Sequence, residues 1–348
     1  MSQDPGPQEP QAPRALVREE LDQIVSFFEN RLVGQPEVIR ALENVLLKNN
    51  ALLKRVLDHD ADSETLVGIP ADPTVLLLMG GSWGKSLATR LIPTALRPFG
   101  RGSLTVLTPL PQDAEGTLNL EPRSIVTPFA TVVVENIEAA QQINSRFVAN
   151  LAHLIETGVI ALVDPDQRSV HPVPLGLTIF ILTSSIADRE IGEALNPETR
   201  LGFLHTADNR TTDAEAAYAK VRRICQRSLE LLPRELLQKV DDTVVLRPLG
   251  PAELRRIFEL EIAHYQQAVF PGQDLPLVLD GEAKERLFTE AQEGLGIYGA
   301  HALRRVLQRY VDPVVYRAFN DGALTEENLD ERTVDVSLSP KGVAVRIN

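Results

Sequence analysis

The sequence predicts an α/β chain, a parallel sheet packed between helices, followed by a smaller mixed domain. Three observations predict it. Short, continuous apolar runs alternate with segments of helical periodicity. A glycine-rich turn joins the first of these runs to a helix. After Pro248 the pattern changes to three helices and a closing pair of strands.

Taken in order, residues 1 to 14 are rich in Pro and Gln and poor in apolar groups, which reads as a disordered tail. From Leu16 to Phe28 apolar residues recur at three and four, the period of an amphipathic helix. A second helix fits Pro36 to Leu57, and Gly34 in "RLVGQPE" breaks the pattern between the two. "TVLLLM" (74–79) has the unbroken apolar character of a strand buried on both faces, and "KSLATRLIPTAL" continues as a helix. "ATVVVEN" (130–136), "LTIFILTSS" (177–185) and "DDTVVLRPL" (241–249) read as three more strands, with "SRFVANLAHLIETG" a helix between. Beyond them "PAELRRIFELEIAHYQQAVF", "GEAKERLFTEAQEG" and "AHALRRVLQRYVDPVVYRAFNDG" read as helices, and "TVDVSL" and "GVAVRIN" as strands around "SPKG". The expected domains are 15–248 and 249–348.

Bulk properties narrow the function. With 43% hydrophobic and 24% charged residues the chain can bury an ordinary core. A net charge of -13 argues against a broad grip on nucleic acid or an anionic membrane. The clusters Arg222, Arg223, Arg227 and Arg304, Arg305, Arg309 read as solvated helix faces. One cysteine, Cys225, excludes an intramolecular disulfide framework and a cysteine-rich zinc site. The start has no apolar signal core and no run approaches a membrane span, so the cytoplasm is the expected location.

In a parallel sheet, chemistry collects at the carboxyl ends of the strands. The first such end is "MGGSWGKS" (79–86), which lacks only the first glycine of G-x-x-x-x-G-K-[ST]. In such a loop Gly80, Gly81, Ser82, Trp83 and Gly84 turn backbone N–H groups to a phosphate, Lys85 neutralises charge, and the Ser86 hydroxyl ligates magnesium. The second end is Glu135-Asn136, where a carboxylate can hold the ion's shell. The third is Thr183-Ser184-Ser185. A plain glycine turn and ordinary strand-end hydrogen bonding are the alternatives.

These pieces together resemble the AAA+ module of the Clp unfoldases, specifically the second module of ClpA, ClpB and ClpC with its small C-terminal domain. "RLVGQPEVIRAL" resembles the family's leading segment, "VVVENIEAAQQINSRFVANLAHLIETGVI" its Walker B strand and helix, and "FILTSSI" its sensor 1 strand. "LLPRELLQKVDDTVVLRPL" resembles the arginine-finger segment and "YGAHALRRVLQRYVDPVV" the sensor 2 helix. The resemblance implies an AAA+ P-loop fold that binds ATP and Mg, with ADP as product if the site is active. It places Val33 and Gly34 at the adenine, residues Gly80 to Leu87 at the phosphates, and Ser86 and Glu135 at the metal.

The same resemblance implies an altered catalytic set. The first P-loop glycine falls on Met79, or else the loop is one residue short. The catalytic glutamate falls on Asn136, which cannot act as a base. The sensor 1 asparagine falls on Ser185, the finger arginine on Lys239 and the sensor 2 arginine on His301. Glu138 or Asp241 are the groups placed to compensate. The pore-loop stretch "TPLPQDAEGTLNLEPRS" has no aromatic to grip a threaded chain. Leu201-Gly202-Phe203 resembles the aliphatic-Gly-apolar tripeptide by which ClpA and ClpC dock a ClpP-type peptidase, the alternative being a loop residue tucked into the core. Trp83 is expected to pack on a neighbour rather than on a base.

Three readings follow. The first is an ATP-binding regulatory or scaffold subunit with weak or no hydrolysis, in a hexamer-type ring of itself or with another Clp-type protein. A single module suits a regulator better than a full disaggregase. The second is an active ATPase and chaperone with rewired groups. The third is an interaction module that no longer binds nucleotide. No nucleic acid or membrane partner is expected.

Overall fold

The computed structural model describes residues 14–59, 72–125, 127–164, 169–195, 211–269, 276–298, 301–325, 332–339 and 342–347. They fall into two units, one within Met1–Asp188 and Ala219–Arg247, the other within Arg189–Tyr218 and Pro248–Asn348.

In chain order the elements begin with α1 (Arg18–Arg31), α2 (Pro36–His59), β1 (Thr74–Met79) and α3 (Lys85–Leu96). Next come β2 (Leu104–Leu107), the single turn α4 (Pro122–Ile125), β3 (Thr131–Val134), α5 (Ile137–Ile143) and α6 (Ser145–Thr157). β4 (Val159–Asp164), β5 (Ser169–Pro174), β6 (Ile179–Thr183), α7 (Asp188–Leu195), α8 (Thr211–Ser228), α9 (Arg234–Leu237) and β7 (Asp242–Val245) follow. The last are α10 (Pro251–Val269), β8 (Leu277–Leu279), α11 (Gly281–Tyr298), α12 (His301–Asn320), β9 (Val334–Ser339) and β10 (Gly342–Ile347).

The first unit is built on a five-stranded sheet in the order β2-β3-β6-β1-β7, every pair parallel. All residues of β1, β3 and β6 are buried. That is why their sequences are unbroken apolar runs: helices cover both faces of a parallel sheet. α1 buries Ile24 and Phe28, and α2 buries Val38, Leu42, Val45, Leu46 and Leu53, each a stripe at helical spacing.

The sheet has one strand more than the sequence suggested. β2 is an edge strand with only Leu107 buried, so its pattern is weak. A separate antiparallel hairpin, β4 with β5, was also not anticipated. β7 is shorter than expected, ending at Val245 rather than Leu249.

In the second unit α10, α11 and α12 pack around Leu254, Phe258, Leu287, Phe288, Leu303, Leu307 and Val311. The rings of Phe258 and Phe288 lie 5.7 Å apart. The predicted closing pair is present: β9 and β10 are antiparallel, and β8 adds to β9 in parallel. Among the described residues, no helix is long and apolar enough to cross a membrane.

Candidate functional site

Met79 is the last residue of β1, fully buried and in register with Val245. It is therefore a strand residue, and the loop runs from Gly80 to Gly84, with Lys85 opening α3. Of the two possible alignments this selects the shorter loop, with three residues between the glycines where the pattern has four. Gly80 and Gly84 have φ of 114° and 110°, backbone that strains any other residue. A Cβ on Gly80 would stand 3.2 Å from the backbone of Leu246, just past β7.

Trp83 is buried, 2% exposed, unlike an ordinary loop side chain. Its N–H donates to Gly81 O at 2.8 Å, closing a tight turn. Its indole lies against Gly81 so closely that a Cβ there would meet Cε2 at 2.6 Å. The shortened loop is thus filled from within by the chain's one tryptophan.

Lys85 is buried, and its Nζ has three acceptors. It donates to Gly80 O, to Ser184 O at 3.0 Å, and to the Asp188 carboxylate at 3.2 Å. Burial pushes the Asp188 carboxyl above its ordinary value; Lys85 opposes that push and the Glu138 carboxylate adds to it. Glu138 Oε1 accepts from Ser185 N–H at 2.7 Å. Its buried Oε2 has no hydrogen-bond partner among the described residues.

At the ends of β3 and β6 the altered positions meet. Asn136 is exposed in left-handed backbone, φ 52°, and caps α5. Its N–H donates to Thr183 Oγ1 at 3.0 Å, and its Oδ1 accepts from Ser185 Oγ at 2.9 Å. Glu135 is exposed one residue beyond β3, next to the Val134–Leu182 register pair. Ser82, Ser86 and Leu87 are exposed around the loop.

Val33 and Gly34 lie half-buried in the turn between α1 and α2, Gly34 at φ 74°. The next residue does the holding. Gln35 is buried; its amide pairs with both backbone groups of Arg247, at 2.7 and 2.8 Å, and reaches Trp83 O at 3.4 Å. Glu37 grips the Arg247 guanidinium through Nε and a terminal nitrogen. Sequence reasoning missed Gln35, Glu37, Arg247 and Asp188. No spacing rule joins residues some 200 positions apart, and Asp188 reads as an ordinary acidic helix start.

Other predicted positions lie elsewhere. Asp241 bonds both backbone groups of Val75, so it sits at the amino end of β1. That is about 13 Å of strand from the loop, which removes it as a compensating group. Lys239, two residues earlier, pairs with Glu156 on α6 at 3.0 Å. His301 is exposed at the start of α12 in the second unit, sharing a groove with Arg304, Arg305 and Gln308. Leu201, Gly202 and Phe203 lie outside the described residues.

Within the stretch expected as a pore loop, residues 110–116 are held against the start of α6. Asn144 Nδ2 donates to Leu110 O and Asp113 O, Arg146 to Ala114 O, and Asn150 to Glu115 O and Gly116 O. Gly116 brings its backbone against Phe147 N.

ATP and magnesium, implied by the fold, can be tested against these residues. The first turn of α3, the Ser86 hydroxyl and the Glu135 carboxylate suit them. The filled short loop, the Gly80 carbonyl turned to Lys85, and the Asp188 carboxylate do not. Among the described residues no group of three or more His, Cys, Asp or Glu side chains is arranged to hold a metal. As folded, the site does not fit a triphosphate.

Residues 249–334 match the family described as the C-terminal, D2-small domain of ClpB protein. Chaperone protein ClpB 1 of Parasynechococcus marenigrum is 32% identical over 200 residues, 57% of this chain and 20% of that protein. Chaperone protein ClpB of Aquifex aeolicus is 25% identical over 185 residues, 53% of this chain and 16% of its own length. The chain thus spans about a fifth of the length of these curated relatives. In solved structures, closed-state Hsp104 with ATPγS and FITC casein aligns over 94% of this chain and 52% of that one, with TM-score 0.63 and 14% identity. That likeness shows the fold. With the parallel five-stranded sheet and the matched small domain, the chain has an AAA+-type α/β fold followed by a ClpB-type C-terminal small domain, and it is similar in sequence to the ClpB chaperones.

Proposed function

We propose that this chain is a non-hydrolysing Clp-type subunit, a regulatory or scaffold part of a protein-remodelling assembly. One observation carries the reading: Asn136 stands where the family's catalytic glutamate falls, with its oxygen engaged by Ser185 Oγ. An amide has no basic lone pair to take a proton from water. Loss of a general base costs about 10²–10⁴ in rate. Replacing the finger arginine by Lys239 removes a further contribution, about 10³ or more. The pinned, aromatic-free stretch 108–124 supports the same reading, because a threading grip needs a projecting ring.

In this reading the AAA+ domain spans 15–248 and the small domain 249–348. The module assembles in the cytoplasm into a hexamer-type ring of its own copies or with another Clp-type protein. Leu201-Gly202-Phe203 is the segment that would meet a ClpP-like peptidase. A specific observation favours a second reading, an active ATPase: the unpartnered Oε2 of Glu138 is a carboxylate oxygen beside Ser185.

Turnover of ATP by the pure protein separates the two. The expected result is phosphate release no faster than in Lys85→Ala, and no gain in Asn136→Glu. Release above that control, lost in Glu138→Gln, would establish the active enzyme instead.

A further inference from the structure

The candidate site contains its own counter-ion. A lysine ammonium has three donors and no more. In Lys85 all three are matched, by Gly80 O, Ser184 O and Asp188. A phosphate reaching for this lysine must displace at least one of them. The chain also makes that displacement hard. Asp188 is fixed at the first residue of α7, its N–H donating to Ser185 O at 3.0 Å. The loop cannot easily widen, since Trp83 fills it and Gly80 approaches the backbone of Leu246.

Charge acts in the same direction. The Glu138 carboxylate adds to the cost of ionising Asp188, and Lys85 is the cation that opposes it. A triphosphate entering there meets like charge rather than a cation in want of a partner. One like charge at about 5 Å, at an effective dielectric near 20, corresponds to about 10²-fold in affinity.

We propose that Asp188 is an internal latch, its carboxylate holding Lys85 in place of a nucleotide phosphate, so that the chain takes up no triphosphate while the latch is present. The proposal rests on the Clp-type site geometry and concerns binding, whereas the function above concerns hydrolysis.

The test uses the full chain with magnesium and ATP, read by calorimetry and by emission of Trp83. As the only tryptophan, Trp83 reports on the loop directly. The expected result is no saturable binding by the wild type. Asp188→Asn, which keeps the shape and an acceptor for the buried lysine, should gain binding by about 10²-fold. Asp188→Ser is the second variant, and adding Lys85→Ala to either should abolish the gain. Wild-type protein that saturates at micromolar ATP overturns the latch, whatever the variants do. So does either variant, folded by circular dichroism, that fails to bind. Binding without turnover by the wild type sinks the latch alone; turnover sinks the hydrolysis reading as well.

Discussion

Replacing Gly116 by alanine should cost far more than the same change at Gly100. Both glycines are in the first unit and both have positive φ, 69° and 65°. An alanine in left-handed backbone costs about 1–2 kcal/mol at either place. Their surroundings differ. Nothing lies within 4 Å of a Cβ built on Gly100. A Cβ on Gly116 would stand 2.4 Å from Phe147 N and 2.5 Å from Arg146 C. Those are backbone atoms of the first turn of α6 and cannot swing aside. Overpacking of this kind costs about 1–3 kcal/mol. If the stretch instead lifts away, it gives up the Asn150 bonds at 2.9 Å to Glu115 O and Gly116 O, about 0.5–1.5 kcal/mol each. Either route leaves Gly116→Ala about 2 kcal/mol worse than Gly100→Ala. For a unit of this size that separates the two melting points by roughly 4–8 °C. Scanning calorimetry of the first unit's transition measures it, with hydrogen exchange across 108–124 to show whether the stretch has lifted. Midpoints within about 1 °C of each other, with unchanged protection, would refute the pinned arrangement.

Gln35→Ala removes the paired amide bonds to Arg247 and should destabilise the first unit by about 2–3 kcal/mol in urea unfolding. Burial alone would raise the Glu37 carboxyl, but the Arg247 fork, its own backbone N–H and Arg40 outweigh it and hold it below the usual range. A depressed carboxylate stabilises the fold above its unfolded value and loses that contribution as pH falls through the folded one. The first unit's midpoint should therefore drop below about pH 4.5, and Glu37→Gln should flatten that drop. In the second unit, burial and Asp312 push the Tyr265 phenol well above its ordinary value. Its contribution is complete below about pH 10 and is lost as pH rises through the folded value. Tyr265→Phe should cost about 1 kcal/mol at neutral pH and remove that alkaline loss, followed by circular dichroism. Lys239→Ala breaks a partly exposed pair and should change stability by less than about 1 kcal/mol.

What the sequence made legible was whatever is buried on all sides. β1, β3 and β6 announced themselves because each of their residues is enclosed. β2 did not, since Leu104 and Val106 face solvent at 40% and 47% exposure on the sheet's edge. β5 was hidden by Pro172 and Pro174, which cannot donate to a ladder but are tolerated in a two-stranded ribbon with an open side. The helical period carried through Pro93 and Pro313, and both prolines lie inside continuous helices. At the site, the loop's residues were legible and its register was not, because the first glycine position falls either on Met79 or, in a loop one residue short, on Gly80. Burial of Met79 beside Val245 decides between them. Asp188 was illegible for another reason: its importance lies in Lys85, 103 positions away.

The residues at the sheet ends form a consistent set. A buried lysine without a counter-ion is an uncompensated charge, and such charges are strongly destabilising. Asp188 supplies that partner to Lys85. Voids in a packed interior forfeit packing energy. Trp83 fills the loop. Asn136 leaves β3 in left-handed backbone, φ 52°, which asparagine tolerates better than a longer acid does. With Ser185 Oγ on its side-chain oxygen and Thr183 Oγ1 on its N–H, it satisfies two strand ends. Restoring glutamate there would add backbone strain and move the acceptor of the Ser185 bond by one methylene. Stability and the proposed loss of hydrolysis therefore favour the same residue at position 136, and the sheet ends keep their connectivity without their chemistry.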